Sequence, residues 1–269
     1  MILPTGSGIS SPASISRVRQ DERAPFMRAL RRARVGAYAP GEFIEQESFM
    51  LASEVRALAE RAGIAPGVSV LDLCCGVGGP GRFIAKELGC DYLGVDYSAG
   101  AIEIARERAA DLPCRFEVSR IPPIPAGRFE VILLLETLLA FEDKEPLLEE
   151  IAAALTPGGR FACTFEAGAP LTEEERDQMP DADTVHLIPV EDMLAILSRA
   201  GLTVRHQEDL TAAHAATAKA LADAFAADAP AIAAEIGDRA FTELLTAHRL
   251  WTTWLHSTRV RKIALVAQR

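Results

Sequence analysis

Val70-Leu71-Asp72-Leu73-Cys74-Cys75-Gly76-Val77-Gly78-Gly79 reads as a short apolar strand carrying one acid, running into a glycine turn. Gly79-Pro80-Gly81 then opens a helix. At such a turn glycine lets the backbone come close to a ligand, and the helix N-terminus behind it offers unpaired N–H groups to an anionic group. The stretch therefore predicts a nucleotide-cofactor site. Asp96 ends the next strand, where in this kind of fold a carboxylate can accept both ribose hydroxyls. The pair is a much stronger signal than the glycines alone.

Working outward, Phe43, Met50, Leu51, Val55, Leu58 and Ala59 recur at helical spacing and predict a helix over Glu42–Ala62, stopped by Gly63. Strands are expected over Val68–Leu73, Tyr92–Val95, Arg115–Val118, Phe129–Leu135 and Arg160–Phe165. Helices are expected between them over Gly81–Leu88, Ala101–Ala110 and Lys144–Leu155. After this alternation come a helix over Pro189–Ala200, a strand over Thr203–Glu208, an alanine-rich helical stretch over Thr211–Ser257 and a last strand over Arg261–Ala267. No repeat of fixed period is present. The expected fold class is α/β, a doubly wound, Rossmann-like, seven-stranded and mostly parallel sheet with a helical insertion between its last two strands.

The composition, 49% hydrophobic and 25% charged over 269 residues, suits one large core or a core plus an accessory lid. The longest apolar run, Val131–Leu135, breaks at Glu136, and the first residues lack a secretory apolar stretch. A soluble, cytoplasmic protein with no membrane partner is expected. A net charge of −10 argues against nucleic acid. Arg17, Arg19, Arg23, Arg28, Arg31, Arg32 and Arg34 are interrupted by Asp21 and Glu22 and read as a solvated helix face or an arm. Cys74, Cys75, Cys90, Cys114 and Cys163 lack disulfide or zinc spacing, so free thiols and no metal are expected.

On Asp72, the Gly76-Val77-Gly78 loop, Asp96 and the turn Leu155-Thr156-Pro157-Gly158-Gly159-Arg160, the chain resembles the class I S-adenosylmethionine (SAM)-dependent methyltransferases over roughly residues 68–165. A nicotinamide enzyme would instead favour Gly-x-Gly-x-x-Gly near the N-terminus. The resemblance implies SAM as cofactor, S-adenosylhomocysteine as product, and no metal. It implies that Asp72 orients the methionine amino group, Gly76 and Gly78 admit the methionine portion, Asp96 holds the ribose and Tyr97 packs on the adenine. The backbone carbonyl of Leu135 would meet the amino group. Two positions depart from the pattern: Cys74 replaces the usual first glycine, and Ser119-Arg120-Ile121 stands where an aspartate often contacts the adenine, so Ser119, Arg120 or backbone groups must substitute. Gly41–Met50, including Gln46, is similar to the segment that closes over the cofactor in tocopherol- and phosphoethanolamine-type enzymes. An amphipathic helix start explains it as well. The implied organisation is an N-terminal arm over 1–40 and a catalytic domain over 41–269, with residues 211–257 as lid.

Acceptor residues are expected at the strand carboxyl ends. Glu136 follows the fourth strand and Glu166 the fifth, His186 sits in the next loop, and Tyr38 precedes the expected first helix. Some relatives place a histidine base after the fourth strand, but Leu138-Leu139-Ala140-Phe141 stands there. A hydroxyl acceptor would need a base, for which His186 has the right pKa unless it is simply a solvated loop residue; a neutral amine would not. His214 and His248 read as packing or capping residues, and Trp251 and Trp254 as core. The expected reaction is methyl transfer to N, O or C of a small-molecule acceptor by a monomer or homodimer. The alternatives are a SAM-dependent cyclisation or rearrangement and a non-catalytic SAM-binding module. The excess of arginine and alanine suggests a GC-rich genome and specialised biosynthesis.

Overall fold

The structure is a computed structural model that describes residues 28–109 and 112–269; Arg17, Arg19 and Arg23 lie outside the described residues. Seven strands form one sheet in the order β3-β2-β1-β4-β5-β7-β6. They are β1 Ser69–Leu73, β2 Asp91–Asp96, β3 Cys114–Val118, β4 Phe129–Leu134, β5 Leu155–Ala167, β6 Thr203–Asp209 and β7 Arg261–Gln268. Strands β1 to β5 pair in parallel, whereas β7 runs antiparallel to both β5 and β6. The expected sheet is present. Its fifth strand is longer than the sequence suggested, because Leu155 already pairs with Phe129, and the Pro157-Gly158 turn is a bulge before Arg160 pairs with Val131.

Helices cover both faces because successive strand residues point to opposite sides. Leu71, Leu73, Ile132, Leu134 and Phe161 pack under α5 (Glu145–Ala154) and α7 (Val190–Arg199). Val70, Tyr92, Val131 and Leu133 pack under α2 (Ala52–Arg61), α3 (Gly79–Leu88) and α4 (Ala99–Arg108). A short α6, Glu173–Gln178, lies in the loop after β5, where no helix was expected. It is entered through Thr172, whose hydroxyl accepts from Glu175 N at 3.2 Å.

A third core stands at the carboxyl edge of the sheet. It joins α1 (Arg28–Ala37), α8 (Thr211–Ala227), α9 (Ala229–Ile236) and α10 (Asp238–His256) to Leu139 and Leu187 in the edge loops. The helical insertion is thus three helices, broken at Asp228 and at Gly237, where φ is +86°. Ala29, Leu30 and Ala33 bury one face of α1 in this core. Arg31 and Arg32, on its other side, pair with Glu45 (3.3 Å) and Asp228 (2.5 Å). Trp251 and Trp254 are buried here, their rings edge-on at 5.4 Å.

The helix expected over Glu42–Ala62 forms only from Ala52 onward. Glu45 has φ +64° and Leu51 is extended, so the helix cannot propagate upstream. Gln46 holds the preceding loop: its Nε2 donates to Glu42 O (2.9 Å) and Met50 O (2.8 Å), and its Oε1 accepts from Ile44 N (2.6 Å). Glu54 reaches back to accept from Leu51 N at 2.9 Å and fixes where α2 begins.

Candidate active site

The apolar run of β1 ends on Leu73 and the chain turns through three left-handed residues, Cys74 (φ +59°), Gly76 (φ +54°) and Gly78 (φ +73°). Glycine reaches that region without strain, but Cys74 adopts it with a side chain. A Cβ at Gly76 would meet nothing within 4 Å, so the turn faces open space. Asp96, at the end of β2, braces the turn. Its Oδ2 accepts from Gly76 N at 3.0 Å and its Oδ1 from Ser98 N at 2.9 Å. Burial raises the Asp96 pKa, and these two N–H groups oppose the rise.

Asp72 lies on the same face, 3% exposed, and accepts from Tyr92 Oη at 2.5 Å. Burial pushes its carboxyl up to about 7, against the Tyr92 hydrogen bond and with the help of Asp96. Tyr97 is exposed, with the Arg120 guanidinium 5.7 Å from its ring centre, and Ser119 N donates to Asp96 O at 2.8 Å. Leu135 leaves the end of β4, and its carbonyl accepts from Thr137 Oγ1 at 3.3 Å. The structure thus gathers Asp72, Cys74, Gly76, Gly78, Asp96, Tyr97, Ser119, Arg120 and Leu135 around the carboxyl ends of β1, β2 and β4. An open turn beside one buried and one partly satisfied carboxylate fits a ligand bearing an amino group and vicinal hydroxyls.

Gln46 turns into its own loop, where both of its amide N–H groups donate to backbone carbonyls. The loop itself does cover the turn, since a Cβ at Gly79 would run into the backbone of Ile44 and Glu45. Glu45 anchors it through Arg31, Arg82 and Arg108. Burial would raise the Glu45 pKa, but the arginines together bring it below the ordinary value.

Next to this cleft lies a buried charge cluster. Lys262, second residue of β7, is 1% exposed and places Nζ 2.6 Å from both Glu136 Oε1 and Glu166 Oε1. Glu166 faces Lys262 across the β5–β7 ladder. Thr164 Oγ1 donates to Glu136 Oε1 (2.7 Å) and accepts from Glu136 N (2.8 Å), holding Glu136 at φ +62°. Burial would raise both carboxyls. Lys262 and His214 overcome it at Glu136, which lies below its ordinary value, whereas burial prevails at Glu166, which lies above.

The backbone of Lys262 also positions α8, since Lys262 N donates to Thr211 Oγ1 (2.9 Å) and Leu210 N donates to Lys262 O (2.8 Å). One turn later His214, 0% exposed, lies with Nε2 3.3 Å from Glu54 Oε2 and Nδ1 4.0 Å from Glu136 Oε2. Of the four expected acceptor residues, Glu136 and Glu166 are brought together. Tyr38 is close enough for Glu136 and Glu54 to add to the rise in its pKa that burial causes, which Arg34 opposes; its hydroxyl donates to Ser48 O at 2.5 Å.

His186 does not join them. Its N donates to Leu139 O (2.8 Å), its carbonyl accepts from Lys144 Nζ (2.9 Å), and its ring has no hydrogen bond to Glu136, Glu166, Lys262 or His214. Burial and Lys144 lower its pKa. Sequence reasoning missed Lys262, Thr164 and Glu54 and read His214 as packing. The available signal was a lysine opening an apolar strand, with two strand-end glutamates in need of a counter-charge.

Residues 70–159 match a family profile described as a methyltransferase domain. Phosphoethanolamine N-methyltransferase 3 of Arabidopsis thaliana is 35% identical over 111 residues, 40% of this chain and 23% of that protein. Sterol 24-C-methyltransferase of Gibberella zeae is 29% identical over 192 residues, 65% of this chain and 50% of that protein. The chain therefore spans half or less of the length of these two relatives. Among solved structures, the [4+2]-cyclase SpnF superposes with a TM-score of 0.72 at 21% identity, over 98% of this chain and 99% of that one. The matched stretch, which holds β1 and the glycine turn of this sheet, is similar to a methyltransferase domain.

Proposed function

We propose that the protein transfers a methyl group from SAM to N, O or C of a small-molecule acceptor. The observation that carries this reading is the open glycine turn braced by Asp96 beside the buried Glu136–Lys262–Glu166 cluster. Asp72 and the Leu135 carbonyl would hold the amino group of SAM, Gly76 and Gly78 its methionine portion, Asp96 the ribose, and Tyr97 with Ser119 and Arg120 the adenine. When bound, SAM supplies a methyl already activated on a sulfonium, so in-line placement of the nucleophile provides much of the rate. The insertion helices would act as a lid that keeps water from the acceptor. A cytoplasmic, biosynthetic role for a monomer or homodimer belongs to the same reading. No helix among the described residues is long and apolar enough to cross a membrane.

Two further readings keep the cofactor. The end-to-end likeness to a [4+2]-cyclase favours a SAM-dependent cyclisation or rearrangement, in which no methyl reaches an acceptor. The strained cysteine at position 74 favours a non-catalytic SAM-binding module. Calorimetric titration of SAM into the parent protein and Asp96→Ala is the test. Loss of the ribose contacts should weaken binding by about 1–3 kcal/mol. Equal affinity in both proteins refutes the assignment of Asp96, and absence of binding in the parent refutes the whole reading. Mass spectrometry of products then separates methylation from rearrangement.

A further inference from the structure

We propose that His214 takes the proton from the acceptor, and therefore that the acceptor reacts through a hydroxyl oxygen; this rests on the methyl-transfer reading above. His214 is fully buried, yet neither Nδ1 nor Nε2 has a hydrogen-bond partner. Buried polar atoms are nearly always satisfied; Nε2 lies in ion-pair range of Glu54 Oε2 at 3.3 Å, so Nδ1, 4.0 Å from Glu136 Oε2, is the nitrogen kept for another partner. The ring lies between two carboxylates, Glu54 of α2 and Glu136 after β4. An acceptor hydroxyl would donate to Nδ1, which stands 4.0 Å from Glu136 Oε2.

Elsewhere in the cluster Glu166 Oε2 is also buried without a hydrogen bond, but its carboxylate is held through Oε1 by Lys262. Glu136 Oε1 is taken by Thr164 and the same ammonium, and Tyr38 donates to Ser48. Phe49 stands edge-on, 6.4 Å from the His214 ring and 5.6 Å from that of His248, whose pKa burial lowers with the help of the charge of Arg34. Phe49 belongs to the irregular 42–51 segment, which is held by side-chain bonds, so displacement of that segment is the route by which an acceptor would reach the ring.

A neutral amine would not need this base, but a hydroxyl would. The hydroxyl oxygen bonds to the methyl carbon as its proton passes to Nδ1. The carbon–sulfur bond breaks with its electron pair left on sulfur, so one cation is consumed and one imidazolium formed. Glu54 and Glu136 stabilise that imidazolium, which then returns the proton to water.

The full chain, labelled with [15N]histidine and saturated with S-adenosylhomocysteine, tests this by NMR, the His214 signals being those lost in His214→Asn. One protonated and one imine-type ring nitrogen near pH 8 is expected. A ring doubly protonated at that pH is a fixed counter-ion and overturns the proposal. With paired alcohol, phenol and amine acceptors, only hydroxyls should be methylated. His214→Asn and His214→Gln should lose about 10²–10⁴-fold in kcat with unchanged affinity for S-adenosylhomocysteine, and added imidazole should restore part of the rate. Undiminished kcat in a variant that still binds S-adenosylhomocysteine, or transfer to amines alone, overturns it. Failure of the parent to bind S-adenosylhomocysteine is read separately by calorimetry and overturns the methyl-transfer reading itself, and the proposal with it.

Discussion

Lys262→Met keeps the length of the side chain and deletes its ammonium. Nζ lies 2.6 Å from a carboxylate oxygen of both Glu136 and Glu166, and Lys262 is 1% exposed. Removing one partner of a buried ion pair costs about 3–5 kcal/mol, because the charge left behind is uncompensated. Two carboxylates are left here, but each can escape by taking up a proton, so the cost depends on pH. In the parent, Glu136 has a folded pKa below its unfolded value, so its contribution is present above the ordinary carboxylate range and lost as pH falls through the folded pKa. Without the ammonium, burial raises both folded pKa values. The folded variant then binds more protons than its unfolded chain, and its stability falls as pH rises. The deficit against the parent should be small near pH 5 and reach about 3–5 kcal/mol at pH 8, a drop in Tm of about 6–20 °C for a chain of this size. Urea unfolding at the two pH values measures it, and Glu136→Gln in the same chain should recover part of the loss. A deficit below about 1 kcal/mol at pH 8, or one equal at both pH values, would refute the reasoning.

Gly79→Ala should force the 42–50 loop off the cofactor turn, weakening SAM about tenfold and lowering stability by about 1–3 kcal/mol in thermal unfolding. An unchanged Kd would show that the loop does not wall the cofactor. Asp72, raised to about 7 by burial, should be drawn down by the amino group of a bound ligand. Its own contribution to stability falls as pH rises from the unfolded value through about 7, whereas binding should release up to about one proton at pH 6 and tighten toward pH 8. Calorimetry in buffers of different ionisation heat checks this, and a pH-independent Kd with no proton release counts against Asp72 meeting the ammonium.

The sheet and the cofactor turn were legible because their signals are local. Strand runs, a glycine turn and an acid at the next strand end lie within residues 69–96, and short-range sterics decide them. The 42–51 segment misled because the residue at positive φ is Glu45, whose side chain announces no turn, while its apolar neighbours fall at helical spacing. His186 stands apart from the charge cluster, which its sequence position could not reveal, because a loop histidine and a catalytic one look alike in sequence. The charge cluster was not legible as a unit. Glu54, Glu136, Glu166, His214 and Lys262 come from α2, the β4 edge, β5, α8 and β7, and only the antiparallel return of β7 sets Lys262 opposite Glu166.

That return also has a bearing on the order in which the protein is made. Lys262 lies 96 positions after Glu166, so a nascent chain carries both glutamates out of the ribosome long before their counter-ion. Until β7 is in place, β5 lacks its antiparallel neighbour and two carboxylates destined for the interior have no ammonium. Burying them early would require protonation or leave charge unpaired. The parallel half of the sheet can assemble as it is synthesised, but the carboxyl edge must stay wet until the last strand inserts.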